Sequence, residues 1–436
     1  MKKLLFSLLT LFLLVGMTAC GSSESSSKDA GKDASKDVTL TILVEAGSPG
    51  EMVAKETKAE FEAANPGVTL VVDAVPYSGI YDKLSTEIKS GNIIHDVATL
   101  DVLWLSAFKN GIEPLNSYVT DEMTADFLPT MLNGATLDGE LLGMPMWINS
   151  KVLMYRTSLF EDADNQSKFK TEYGYDLQVP TTWEEYLDVA AFFTDADSNF
   201  FGTAVYGANN GDTVCSWLDH AAQAGAGPLV LDGDNVLIDE QAYVDAANFM
   251  KEQFDAGNVP VDSLSNASGE VINYFTNGQL AMMLNWSHFY PMAKEKLGGD
   301  VSVAPMIGGS AGVGATTGPW YQSVLKDSEN KDIAIEYVKF MYDHNGDYME
   351  AALKIAGRES VYKEYSKVDG NEHLSAVLLT LESPASGNRP NTPYWTEIEQ
   401  VLADAVHDVI AGDISAENSM AQAKAEIEKI INRNKK

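Results

Sequence analysis

The strongest constraint on this chain is an alternation of strand-like and helix-like segments that begins at Val38. Val38-Thr39-Leu40-Thr41-Ile42-Leu43-Val44 is β-branched and apolar, which predicts a strand, and Glu51 to Ala64 is rich in helix formers and stops at Asn65-Pro66-Gly67. Val68 to Val75 reads as a second strand, Tyr81 to Lys89 as a second helix closed by Ser90-Gly91, and Val97-Ala98-Thr99-Leu100 as a third strand ending at Asp101. Strands that alternate with helices of this length predict βαβ units, a mostly parallel sheet and an α/β fold.

Further along, Asp138-Gly139 between apolar residues predicts a tight hairpin, followed by strand-like Leu141 to Met146 and Lys151 to Tyr155. Thr182 followed by Glu185 has the spacing of a capping box. Helices are expected over Tyr243 to Ala256, Ile333 to Tyr342 and Asn418 to Ile431, and an apolar strand over Gln279 to Leu284.

Before Val38 the chain is built differently. Met1-Lys2-Lys3 and the apolar run Leu4 to Val15 form a secretory signal, too short for the ~20 residues that span a bilayer. Met17-Thr18-Ala19-Cys20 resembles the bacterial lipobox, with Met17 at a place where Leu is usual; Cys20 is then the lipidated first residue after a signal peptide of residues 1–19. Residues 20–37, rich in Ser, Lys and Asp, read as a flexible tether. The only other cysteine is Cys215, so a mature chain has no intrachain disulfide to form.

A formal charge of −33 excludes nucleic acid as a partner, because the chain repels phosphate backbones. The six histidines show no zinc spacing. Asp195-Ala196-Asp197-Ser198-Asn199 starts like a calcium loop, but Phe200 and Tyr206 stand where that loop needs Gly and Glu, so a capped turn is expected instead. No P-loop, nucleophile elbow or His-Glu-x-x-His is present, and no cofactor is expected.

Trp147, Trp217, Trp286, Trp320 and Trp395 lie near breaks in the pattern, and ligands of open α/β sheets bind where loops converge at the carboxyl ends of strands. In order and spacing, several segments resemble the family 1 extracellular solute-binding proteins of ABC importers, the group that contains maltose-binding protein. They are Gly91 to Leu115 with its Gly111-Ile112-Glu113-Pro114-Leu115, the hairpin Leu137 to Pro145, Met154-Tyr155 to Leu159-Phe160, Pro180 to Trp183, and Gly278-Gln279-Leu280-Ala281-Met282 leading to Trp286. Arg156 departs from the family's usual Asn.

The resemblance implies a two-lobed periplasmic-binding-protein-like fold, each lobe a mostly parallel sheet flanked by helices, with the ligand cleft between the lobes. It divides the chain into residues 38–145 plus 306–348 for the first lobe and 146–305 plus 349–436 for the second. Crossings are expected near Met144 to Ile148, Val303 to Met306 and Tyr348 to Leu353. It further implies an extracytoplasmic, lipid-anchored monomer that captures a small sugar or oligosaccharide and delivers it to an ABC permease by hinge closure.

A sugar needs carboxylates or amides for its hydroxyls and aromatic rings for its C–H face. The candidate ligand residues are Glu45, Asp101, Trp147, Trp217, Trp286, Trp320 and Arg358. Each has a structural alternative: Asp101 as a helix N-cap, Glu45 as a solvated loop carboxylate, the tryptophans as core, and Arg358 as half of a surface ion pair, with Arg389 equally open. The rival class is a surface glycoside hydrolase or lyase, which uses paired carboxylates and tryptophan platforms as well.

Overall fold

The computed structural model describes residues 37–347, 349 and 354–434. The signal segment, Cys20, all of the tether but Asp37 and most of the expected crossing at 348–353 lie outside the described residues.

β1 (Val38–Glu45), α1 (Pro49–Ala64), β2 (Val68–Val75), α2 (Tyr77–Ser90) and β3 (Val97–Asp101) follow the expected alternation. β1 pairs in parallel with β2 on one side and β3 on the other, which is why Leu40, Ile42, Leu43 and Val44 are all buried. α1 starts where Ser48 accepts the N–H of Glu51, and it buries Val53, Thr57 and Phe61, spaced one turn apart. α3 (Val102–Phe108) follows β3 directly, with Asp101 as its N-cap.

Asp138 and Gly139 take φ of 51° and 81°, the left-handed pair that a two-residue hairpin needs, between Thr136–Leu137 and Glu140–Leu141. β4 (Met144–Trp147) belongs to the first sheet, and β5 (Lys151–Tyr155) opens a second one. Beyond it, α4 (Trp183–Phe193) begins at the expected Thr182–Glu185 capping box, and Asp195 caps a short turn as foreseen. Three elements that pack against the core follow: α5 (Gly211–Gln223), α6 (Gln241–Asp255) and β6 (Met282–Trp286).

β7 (Ser302–Ala304), β8 (Thr316–Thr317), β9 (Trp320–Val324) and α7 (Lys331–Asp343) come next. The chain then runs through α8 (His373–Leu381), β10 (Gly387–Asn388), α9 (Trp395–Ala411) and α10 (Ala416–Asn434). The first sheet has the order β2-β1-β3-β9-β4, with β9 antiparallel to both neighbours. The second has the order β6-β5-β7 and is antiparallel throughout, a departure from the parallel arrangement expected on both sides.

Among the described residues, two segments carry the chain between the sheets. Residues 148–150 lead out of the first sheet, whose pairing extends past Pro145 to Trp147, because Trp147 still pairs with Trp320. The return is made at 318–319, not at Met306. Gly308 donates to the Thr181 carbonyl, Ala311 to that of Gln223, and Thr316 to Asp219, so residues 308–316 stay against α5 and the cap of α4. The two segments touch where Gly318 N–H donates to the Asn149 carbonyl at 3.1 Å.

Candidate ligand-binding site

A cavity of about 510 Å³ opens over those two segments, at the carboxyl ends of β1 and β3. Each wall has a local cause. β1 ends at Glu45, β3 ends at Asp101, and Pro76 starts α2 so that Tyr77 stands beside them. Trp147 and Trp320 leave adjacent antiparallel strands at the same edge and stack, with ring centroids 5.3 Å apart and planes 18° apart.

The facing wall comes from the second sheet and from α5. Trp286 ends β6, Asn149 precedes β5, and the first turns of α5 bring Asp212 and Cys215 to the same face. Arg389, just past β10, and Glu399 on α9 close the remaining side.

The polar groups differ in how far the protein already satisfies them. Asp101 accepts from Leu103 N–H at 3.3 Å, from the Tyr77 hydroxyl at 3.1 Å and from Arg389 Nη2 at 3.2 and 3.3 Å. Asp212 accepts from the Ser268 N–H and hydroxyl and from Trp286 Nε1 at 3.4 Å. Glu399 takes Trp395 Nε1 at 3.0 Å and lies 3.7 Å from Arg389 Nη1. Glu45 has no hydrogen-bonding side-chain partner among the described residues; burial and the nearby Asp101 charge push its carboxyl up to about 7. Burial is the largest single influence and opposes the Arg389 charge, but Asp101 and the acidic groups behind it, Cys215, Tyr77 and Glu399, together outweigh it and hold that guanidinium firmly protonated. His288 is driven down to about 4 by burial, so it is neutral at pH 7 and its Nδ1 accepts from Asn149 Nδ2 at 2.7 Å.

Five of the seven candidates named from sequence, Glu45, Asp101, Trp147, Trp286 and Trp320, line this cavity. Trp217 does not. Two residues beyond Cys215, it points from the opposite face of α5 into the core, where Nε1 donates to the Tyr243 carbonyl at 2.9 Å and the ring is fully buried. Arg358 is also elsewhere: Nε donates to Asp126 at 2.6 Å and the guanidinium lies 4.3 Å over the Tyr342 ring, so the ion-pair alternative is the one realised. Asp101 serves as a helix N-cap while also lining the cavity.

Sequence reasoning missed Tyr77, Asn149, Asp212, Cys215, His288 and Glu399. Tyr77 carried a usable signal, since it follows a predicted strand and Pro76. Glu399, within an ordinary helical pattern, carried none.

A sequence model described as bacterial extracellular solute-binding protein matches residues 44–347. A putative binding protein of Brucella abortus (strain 2308) is 26% identical over 385 residues, covering 86% of this chain and 89% of the relative. Among solved structures, maltose-bound T. maritima MalE3 superposes with a TM-score of 0.74 at 23% identity, covering 89% of this chain and 99% of the other. An ABC transporter solute-binding protein from Agrobacterium radiobacter K84 in complex with ribitol also gives 0.74, at 22% identity and coverage of 90% and 99%.

Proposed function

Since the chain belongs to the bacterial extracellular solute-binding proteins, we propose that it captures a small sugar, polyol or oligosaccharide outside the cytoplasm and hands it to an ABC permease. One observation carries the choice of ligand: Trp147, Trp286 and Trp320 line a single cavity together with carboxylates at strand ends. Aromatic rings suit the C–H face of a sugar and acids suit its hydroxyls. The maltose and ribitol complexes of proteins with this fold are consistent with that class. The family binds solutes, which stands against the glycosidase alternative.

The reading includes two lobes that close on the ligand, one built on the first sheet and one on the second, hinged where Ile148 to Ser150 and Gly318 to Pro319 run side by side. The lobe limits then become 38–147 with 320–347 on one side and 151–317 with 354–434 on the other. It also includes a lipid on Cys20 that holds the protein at the outer face of the cell membrane, working as a monomer. No described helix is long and apolar enough to cross a membrane.

A thermal-shift screen over monosaccharides, sugar alcohols and oligosaccharides tests the ligand class. Stabilisation by a carbohydrate supports it, whereas hits confined to amino acids or polyamines refute it. X-ray scattering with the best hit then tests closure, which predicts a smaller radius of gyration when the ligand is bound.

A further inference from the structure

Among the described residues, the cavity holds four carboxylates and one guanidinium, with His288 neutral. Arg389, the only permanent cation among those residues, is committed to Asp101 at 3.2 Å and to Glu399 at 3.7 Å. A ligand anion entering the cavity would find no free cation and would have to displace one of these acids.

Three of the acids are spoken for as well. Asp101 takes four contacts from Leu103, Tyr77 and Arg389. Asp212 is tied to Ser268 and Trp286, and Glu399 to Trp395 and Arg389. Glu45 alone among them presents a carboxyl that no described side chain or backbone N–H satisfies. Glu45 is only partly buried, so its carboxyl is open to the cavity, and a ligand hydroxyl can donate to it without displacing a protein donor.

We infer that Glu45 is the specificity-determining acceptor of the cleft, and that the ligand is a polyhydroxyl compound without an acidic group, sugar acids being rejected by charge. The inference rests on the carbohydrate reading above and narrows it. It also reverses the order of importance that strand-end position suggests for Asp101 and Glu45, because Asp101 is already saturated by its own protein.

Matched pairs decide it: glucose, galactose and mannose against glucuronate, galacturonate and mannuronate, with maltose and ribitol as further neutral probes, titrated calorimetrically at pH 8. Neutral members should bind, and each uronate should bind roughly a hundredfold or more weaker than its parent, from like-charge repulsion at an intermediate dielectric. Glu45→Gln should weaken the best neutral probe by roughly tenfold to a hundredfold while narrowing the gap to its uronate. Glu45→Asp, which keeps the charge, should keep the gap. A uronate that binds as tightly as its parent, or a Glu45→Gln protein that is folded yet unchanged in affinity and selectivity, overturns the assignment. If no carbohydrate of either set binds, the carbohydrate reading itself fails, and this inference with it.

Discussion

Lys151 and Asp219 form an ion pair, Nζ to Oδ2 at 2.7 Å, in which neither side chain reaches solvent. Lys151 opens β5 directly after one crossing segment, and the other oxygen of Asp219 accepts the N–H of Thr316, just before the second crossing segment. The ammonium also lies 4.7 Å from the centre of the Trp286 ring. One buried pair therefore joins α5, both crossing segments and an aromatic wall of the cavity.

Removing one half of that pair leaves an uncompensated charge in the interior. Lys151→Met should cost about 3–5 kcal/mol of stability, and the double variant Lys151→Met with Asp219→Leu should cost less than the single one. Urea denaturation of the three proteins checks this; a double variant less stable than Lys151→Met would contradict it.

Trp286 and Trp217 should separate affinity from stability. Trp286 is partly exposed in the cavity, so Trp286→Ala should remain folded and weaken carbohydrate binding by more than tenfold, through loss of up to a few kcal/mol of apolar contact. Trp217→Ala empties a core site and should lower stability by about 3–5 kcal/mol. Calorimetric titration and thermal melting, run on both, give opposite rankings if the two placements are right.

Affinity should depend on pH through Glu45. Its carboxyl is pushed up to about 7, first by burial and then by Asp101. A hydroxyl donor favours the carboxylate, so binding releases a proton and affinity should rise with pH from 6 to 8 and then level off. Tyr77, Asp101, Asp212, His288, Arg389 and Glu399 share the cavity; burial raises Glu399 too, so the control is Glu45→Gln, in which the rise should vanish. The folded protein holds the Glu45 proton more tightly than an unfolded chain does. Its contribution therefore falls as pH rises from 4.5 toward 7, and Glu45→Gln should melt higher than the parent at pH 8 but not at pH 4.5.

Arg358 and Arg389 should behave differently although sequence treats them alike. Arg358→Ala breaks a contact with Asp126 and Tyr342 away from the cavity and should leave carbohydrate affinity within twofold, about 0.4 kcal/mol. Arg389→Ala frees Asp101 and Glu399 inside the cavity and should weaken binding at least about tenfold. Isothermal titration of both variants is the measurement.

Cys20→Ala should release the protein from membranes into the soluble fraction, as fractionation and immunoblotting would show. A variant that stays membrane-bound would exclude lipidation at this cysteine.

What the sequence determined by itself is local in cause. β-branched runs bounded by Asn65-Pro66-Gly67 and Ser90-Gly91 set the first three strands and two helices, Asp138-Gly139 set a hairpin that needs two positive φ values, and Thr182 with Glu185 set a helix start. Each depends on neighbours within a few positions, so each could be read without the fold. Tertiary structure alone decided which chemistry reaches the cavity. Asp101 and Arg389 meet across 288 positions of sequence, and that contact turns the expected ligand acid into a saturated bracket. The rotation of α5 sends Asp212 and Cys215 to the cavity and Trp217 to the core. An antiparallel second sheet places Trp286 opposite Trp147 and Trp320. Side-chain roles of this kind follow from partners brought together by packing, and neither composition nor periodicity encodes which partner a given acid or indole will meet.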